Sequence, residues 1–232
     1  MKKLILVLLI SHFLYSCISN AAKQNATMIA PNNYVDPYLM IADGQSLLKE
    51  GDLVVRLNRD PFSEFIKKFN RHDKSYSHAG IVLFEKGCPY VYHIINGEEN
   101  PDEKLKKDSL SVFCNPRKNM AYGIFRYEMK GDELKRLKSF IHKWYIKGVR
   151  FDSSFNFRSD DRMYCSEMIS KALRNSTRKR ILIETTKLTI TEARFFSAYS
   201  HLPFAYTSKL RIVAIDNLYI NPYCHLIKKY DY

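Results

Sequence analysis

Tyr164-Cys165-Ser166-Glu167-Met168 is the stretch whose reading decides the fold of this chain. It follows an aromatic, Asp-containing run over 150–161 and opens a helical pattern over 167–173. A Cys at a loop-to-helix junction faces free N–H groups and the positive end of the helix dipole. That environment lowers a thiol pKa and produces a nucleophile. The opposing reading is a small buried apolar residue, because free Cys is among the most buried residue types. The rest of the chain has to decide between them.

A nucleophilic thiol needs a base, and the base needs an orienting partner. Working outward, Ser77-His78-Ala79-Gly80-Ile81-Val82-Leu83-Phe84 reads as a strand, Gly87 and Pro89 punctuate a turn, and 90–95 returns as a strand. If Phe84 faces Pro89 across a loop of 85–88, His93 lies opposite Gly80. His78 and His93 are then diagonal neighbours on one face. A one-residue slip turns His93 away and brings Asn96 opposite His78. The base candidate is therefore His78, oriented by His93 or, in the slipped register, by Asn96; the first register is preferred. A packed or surface histidine is the plain alternative for His78.

The remaining elements frame this pair. The segment 36–49 reads as a helix capped by Asp36 with Pro37 in its first turn. Glu50-Gly51-Asp52 is a turn, and 53–57 a short strand. Phe62, Phe65, Ile66 and Phe69 form one helical stripe. A weak strand is expected around 110–113 and a firmer one over 120–128, with Tyr122 and Arg126 on one face. A helix over 134–146 is capped by Asp132 and ended by Gly148. Helix over 191–198, a strand over 211–215, a turn over 216–222 and a short last segment over 224–227 complete the reading, with the final Lys-Lys-Tyr-Asp-Tyr frayed.

The chain has 232 residues and a formal net charge of +13. Its length suits one domain with a proper core. The basic residues are dispersed, with no aromatic-interleaved basic motif, so the charge reads as a solvated surface facing anionic lipid or wall polymer, and a nucleic-acid partner is not expected. The five cysteines (Cys17, Cys88, Cys114, Cys165, Cys224) show no metal-ligand spacing. Neither a metal nor another cofactor is expected, and at most one disulfide among Cys88, Cys114 and Cys224 is open.

Met1-Lys2-Lys3 followed by an apolar run over 4–14 fits a secretory leader. Leu14-Tyr15-Ser16-Cys17 resembles a bacterial lipoprotein cleavage box, with Tyr15 departing from the usual small residue. Residues 1–17 are thus expected to be a signal peptide with Cys17 lipidated, 18–35 a tether, and 36–232 one domain. The expected location is the bacterial cell envelope, beyond the inner membrane, held by a lipid anchor. The alternative is a plain signal peptide in which Cys17 is incidental.

Taken in order, Gly51-Asp52-Leu53-Val54-Val55-Arg56, Ser77-His78-Ala79-Gly80-Ile81, Phe151-Asp152 and Tyr164-Cys165-Ser166-Glu167-Met168 resemble the YiiX/YebB-type branch of the NlpC superfamily. These are circularly permuted papain-like cysteine hydrolases, in which His precedes Cys. The resemblance covers roughly 44–227. It implies an α+β permuted papain-like (NlpC-type) fold, a small antiparallel sheet or barrel packed against helices. It also implies Cys165 as nucleophile, His78 as base and His93 as the third residue, a role filled by His, Glu, Asn or Gln in this superfamily. The Cys165 backbone N–H would be one oxyanion donor. The expected function is an envelope-associated cysteine amidase working by thiol acyl transfer on peptidoglycan peptides. The alternatives are a lipid ester or acyl-amide hydrolase or acyltransferase, and a catalytically silent surface-binding lipoprotein. The expected partners are a small peptide, cell-wall fragment or lipid, and a membrane through the anchor, with the protein a monomer.

Overall fold

The computed structural model describes residues 35–98 and 100–232. The leader 1–17 with Cys17, and all but the last residue of the tether 18–35, lie outside the described residues. Residues 36–232 form one compact unit with its own core.

The core element is a six-stranded antiparallel sheet. In chain order its strands are β1 (Leu53–Asn58), β2 (His78–Glu85), β3 (Cys88–His93), β4 (Lys106–Asp108), β5 (Asn119–Tyr127) and β10 (Cys224–Asp231). Their order across the sheet is β10-β5-β1-β2-β3-β4. Two short ladders stand outside it: β6 (Arg150–Phe151) with β7 (Arg162–Met163), and β8 (Thr186–Lys187) with β9 (Arg211–Ile212). The helices are α1 (Pro37–Leu47), α2 (Pro61–Ile66), α3 (Leu110–Phe113), α4 (Gly131–Lys147), α5 (Cys165–Ser176), α6 (Ile190–Ser200), α7 (Phe204–Thr207) and α8 (Ile215–Tyr219).

Alternation along the strands sends side chains to two cores. Leu53, Val55, Ala79, Ile81 and Leu83 pack with Met168, Ile169 and Ala172 of α5 and with Leu137 and Ile141 of α4. Val54, Val82, Val91 and Ile124 pack on the other face with Ile41, Phe113 and Tyr230. Sheet and helices are thus the α+β arrangement expected.

Several local expectations are corrected. The β2–β3 connection is only Lys86 and Gly87, because Glu85 already pairs with Cys88. The expected register is nevertheless the observed one, with Phe84 opposite Pro89. Residues 110–113 form a helix turn rather than a strand, with Ser109 capping it by accepting from the Val112 N–H at 3.3 Å. The strand there is 106–108. The first residue of α4 is Gly131 and its N-cap Lys130, not Asp132. Beyond Ile212 the chain turns into α8 rather than continuing as strand and turn. The C-terminus is not frayed: β10 lies along β5, and the Tyr230 ring stacks on Tyr122 at 4.4 Å.

Candidate active site

The Tyr-Cys-Ser-Glu motif is a device for aiming Cys165. Glu167 Oε2 accepts from the Tyr164 N–H at 3.3 Å, closing the first turn of α5 from within. The Tyr164 hydroxyl accepts from the Val213 N–H at 2.9 Å, and the Ser166 hydroxyl donates to the Val213 carbonyl at 2.7 Å. The flanking side chains therefore clamp one residue, Val213, from both its N–H and its carbonyl. Cys165, the first residue of α5, lines a cleft of about 620 Å³ together with His78. The Cys165 sulfur sits at the start of α5, where the backbone N–H groups of Ala79 and Ser166 favour its anionic form.

His78 begins β2 beside Arg56 of β1. Its Nε2 lies 3.0 Å from His93 Nδ1. His93 ends β3, and its Nε2 lies 2.9 Å from Asp108 Oδ2 on β4. Three neighbouring strands thus carry one hydrogen-bonded chain. Gly80 permits it: a Cβ there would come within 2.4 Å of Val91 Cγ1 and 3.2 Å of His93 Cβ, so only glycine lets β3 approach at this point. Phe113 packs against both rings, 5.6 Å from His78 and 4.8 Å from His93, and the Arg56 guanidinium lies over the same Phe113 ring at 4.6 Å.

The proton positions follow from charge. The Asp108 carboxyl is held below its usual value by His93 and Lys106 in spite of partial burial, so it is an ionised acceptor. His93 must donate from Nε2, which leaves Nδ1 as acceptor. His78 must then donate from Nε2, which leaves its own Nδ1 with a lone pair. A base needs that form. Burial holds His78 well below the ordinary imidazole value, helped by Arg56, His93 and Lys106. Burial also pushes His93 down to about 4, with Asp108 opposing. Burial pushes the Cys165 thiol up to about 11, against the pull of the Ala79 and Ser166 N–H groups. Burial thus favours the neutral forms of both the Cys165 thiol and the His78 imidazole.

The cleft walls are largely apolar. Phe62, Ile66 and Phe69 come from α2 and the turn after it, Phe151 and Phe155 from the loop before Cys165, and Ile212, Val213 and Ile215 from the clamped segment. Asp152 shapes that loop by accepting from the Ser154 and Asn156 N–H groups at 2.9 and 2.6 Å. Arg59 and Lys118 add cations, and Asp60 and Glu98 acids, to the lining.

Each sequence candidate can now be placed. His78, His93 and Cys165 come together around one cleft. Asn96 lines the cleft while His93 holds His78 Nε2, so the slipped register is not realised. Asp52 is buried in a structural role, gripped by Arg126 Nε and Nη2 at 2.7 Å each and accepting from the Lys49 N–H. Cys88, Cys114, Cys165 and Cys224 are all free thiols. Asp108, Arg56 and Phe113 were not foreseen. Around Asp108 the sequence, Lys106-Lys107-Asp108, is three charged residues with no apolar alternation to declare a strand.

A family model described as permuted papain-like amidase enzyme, YaeF/YiiX, C92 family, matches residues 47–211. The chain belongs to this family of papain-like cysteine hydrolases. It is 27% identical over 133 residues to the uncharacterized protein YiiX of Escherichia coli (strain K12), an alignment covering 56% of this chain and 60% of the relative. The matched part thus spans about three fifths of that relative's length. The crystal structure of metalloprotein yiiX from Escherichia coli O157:H7 superposes with a TM-score of 0.64 at 21% identity, covering 79% of this chain and 98% of that one. This likeness shows a shared fold. That title calls the neighbour a metalloprotein; among the described residues here, no group of three or more His, Cys, Asp or Glu is arranged to hold a metal ion.

Proposed function

We propose that this protein cleaves an amide or ester bond by acyl transfer to Cys165, with His78 as general base and acid and with His93 and Asp108 as its positioning residues. The observation that carries this reading is the Asp108–His93–His78 chain, which leaves a proton-accepting nitrogen on His78, a residue that lines the cleft together with Cys165. As sulfur attacks the carbonyl carbon, its proton passes to His78 Nδ1. The tetrahedral intermediate collapses, His78 returns that proton to the leaving amine or alcohol, and a thioester remains on Cys165. Water, deprotonated by His78, then releases the acid and regenerates the thiol. The Cys165 N–H at the helix start serves as one oxyanion donor.

Two substrate readings stem from the sequence, a peptidoglycan peptide and a lipid ester or acyl amide. The wall composition favours the second. The aromatic and branched aliphatic side chains of the lining suit an apolar acyl group. In this reading Cys17 is the lipidated first residue of an envelope-held mature protein, and the catalytic unit is 36–232.

The deciding experiment is intact-mass analysis after brief acid quench with p-nitrophenyl octanoate, p-nitrophenyl acetate and a muropeptide, each offered separately. The expected result is an octanoyl adduct on Cys165 that is absent in Cys165→Ala and fails to form in His78→Ala. An adduct on Cys224 or Cys88 instead, or none with any acyl donor, would overturn the hydrolase reading. Adduct formation with the muropeptide alone would return the substrate to the cell wall.

A further inference from the structure

Burial of apolar surface is what folds the chain, so apolar surface left bare in one place calls for a partner. Fourteen large apolar side chains are exposed among the described residues, and five of them fall within 190–206: Ile190 (67%), Phe195 (63%), Tyr199 (57%), Phe204 (41%) and Tyr206 (37%). At 3.6 residues per turn, the outer half of α6 runs Ile190, Arg194, Ala198, Thr191, Phe195, Tyr199. That half holds one cation and no acid. Its inner side is already used, with Ala193 and Phe196 buried. A helix apolar on both sides is expected to be enclosed, and α6 is enclosed on one side only.

Along the segment that forms the patch, cations outnumber acids. Over 186–211 the cations are Lys187, Arg194, Lys209 and Arg211, and the single acid, Glu192, is paired with Arg71 at 2.6 Å. Arg194 lies over the Phe204 ring at 5.7 Å, which ties α6 to α7. The patch is also continuous with the cleft. Tyr199 stacks on Phe62 at 4.8 Å, and Phe62 lines the cleft. Phe196 meets the cleft residue Phe155 at 4.9 Å, and the Tyr206 hydroxyl donates to the Ser154 carbonyl at 3.0 Å.

We infer that the outer face of α6 and α7 docks onto an anionic lipid surface, placing the mouth of the cleft at the lipid–water boundary. Exposed aromatics mixed with Lys and Arg, without acids, are the pattern of an interfacial helix, where rings enter the headgroup layer and cations meet lipid phosphates. A protein partner would be met by an apolar centre with a polar rim of mixed sign. Here cations are interspersed among the rings, and within 186–211 the one acid is paired; the acids of the neighbouring element are Asp60, which caps α2, and Glu64, which pairs with Lys67. Among the described residues no helix is long and apolar enough to span a bilayer, so this contact lies on the membrane rather than through it.

The docking face goes beyond the hydrolase reading and does not depend on it. Co-sedimentation of the 36–232 unit with vesicles of phosphatidylglycerol and phosphatidylcholine, against vesicles of phosphatidylcholine alone, tests it. The unit is expected to bind the anionic vesicles, more weakly as salt rises, with each of Arg194→Gln and Lys209→Gln weakening binding about fivefold. The double variant Phe195→Ser/Tyr199→Ser should weaken it by more than about tenfold while keeping the wild-type melting temperature within a few degrees. Cys165→Ala should bind as wild type does, which separates docking from catalysis. No binding by the wild type, equal binding to both vesicle types, or undiminished binding by the double-serine variant would each overturn the proposal. So would a concentration-dependent dimer that the same substitutions abolish without any vesicle binding.

Discussion

Replacing Asp108 by Asn should slow acylation and move the acid limb of the pH profile downward. Asp108 touches neither the cleft sulfur nor the base. It acts through His93, at 2.9 Å, and His93 acts on His78 at 3.0 Å. In the wild type the ionised carboxylate can only accept, which fixes both tautomers. An Asn amide can accept from His93 Nε2 or donate to it. When it donates, the His93 proton moves to Nδ1, His78 must accept at Nε2, and its remaining proton blocks the nitrogen that should take one from Cys165. Even in the correct tautomer, a charge-assisted hydrogen bond becomes a neutral one. That costs the forming imidazolium about 1–2 kcal/mol, or roughly 5–30-fold in kcat/KM. An Asp-to-Asn change directly against a catalytic His costs about 10⁴ in serine proteases, so a carboxylate one ring further out belongs below that bound.

The sign of the pH shift is fixed by the same geometry. The acid limb of kcat/KM reports the free enzyme's imidazole, which works when neutral. Burial, Arg56, His93 and Lys106 all hold His78 low. Asp108 opposes burial at His93. Removing the Asp108 charge makes imidazolium harder to form, so the limb moves to lower pH. Lys106→Met does the reverse. It removes a cation that lowers both histidines and also frees Asp108 from a 3.0 Å ion pair. Both effects favour imidazolium, and the limb moves to higher pH. Stopped-flow kcat/KM profiles with a chromogenic ester would show the two shifts. Shifts of the same sign, or an Asp108→Asn enzyme with wild-type rate and profile, would refute the relay.

Other outcomes follow from the frame around the site. Gly51 has φ +83° and a Cβ there would sit 2.5 Å from Leu134 Cδ2, so Gly51→Ala should lower urea-unfolding stability by about 1–3 kcal/mol. Asp52→Ala strips a buried carboxylate from the half-buried Arg126 and should cost about 2–3 kcal/mol by the same measurement, discounted for solvent at the guanidinium. Glu167 is buried, and burial raises its carboxyl to about 7 against the pull of Lys171. Its folded-state value exceeds the unfolded one, so its contribution is complete below about pH 4.3 and is lost as pH rises through 7. Denaturation midpoints measured between pH 4 and 8 should therefore decline by up to about 3 kcal/mol equivalent, and Glu167→Gln should flatten that slope.

What the sequence made legible was local and in phase. The β2–β3 hairpin could be registered because two strands with a short turn leave few pairings, and the alternation puts His78 and His93 on one face. Helix α5 announced itself by its apolar stripe, and its capping Glu167 stands at the expected third position. The C-terminus was misread because a register shift between Leu226 and Lys228 breaks the period of two. Past that shift, Lys228, Lys229 and Asp231 look like a polar tail, although Tyr230 is buried and its hydroxyl donates to Asp43 at 2.6 Å. Lysines on such a terminal strand are how an edge avoids pairing with other chains. The 110–113 segment failed for the opposite reason. Four residues are too few to separate helix from strand by period, and only Ser109 as cap marks the difference.

Asp108 belongs to neither case. The three members of the relay are each fifteen residues apart in sequence and lie on successive strands. What joins His93 to Asp108 is the excursion over 94–105, which returns the chain to the outer side of β3. No local pattern encodes where such an excursion lands. The Asn100 side chain donates to the Ile95 and Lys104 carbonyls, both at 2.7 Å, and so closes the excursion on itself. The Leu105 N–H then bonds the Val149 carbonyl at 2.7 Å, just before β4 begins. The position of the outermost acid in the relay is therefore set by the loop's own amide and by the residue after the C-cap of α4. Mutating Asn100 to Ala should mimic Asp108→Asn in the direction of its pH shift, by letting β4 drift from His93, while leaving the Cys165 end of the cleft intact. A normal profile in Asn100→Ala would show that β4 is held by its pairing with β3 alone.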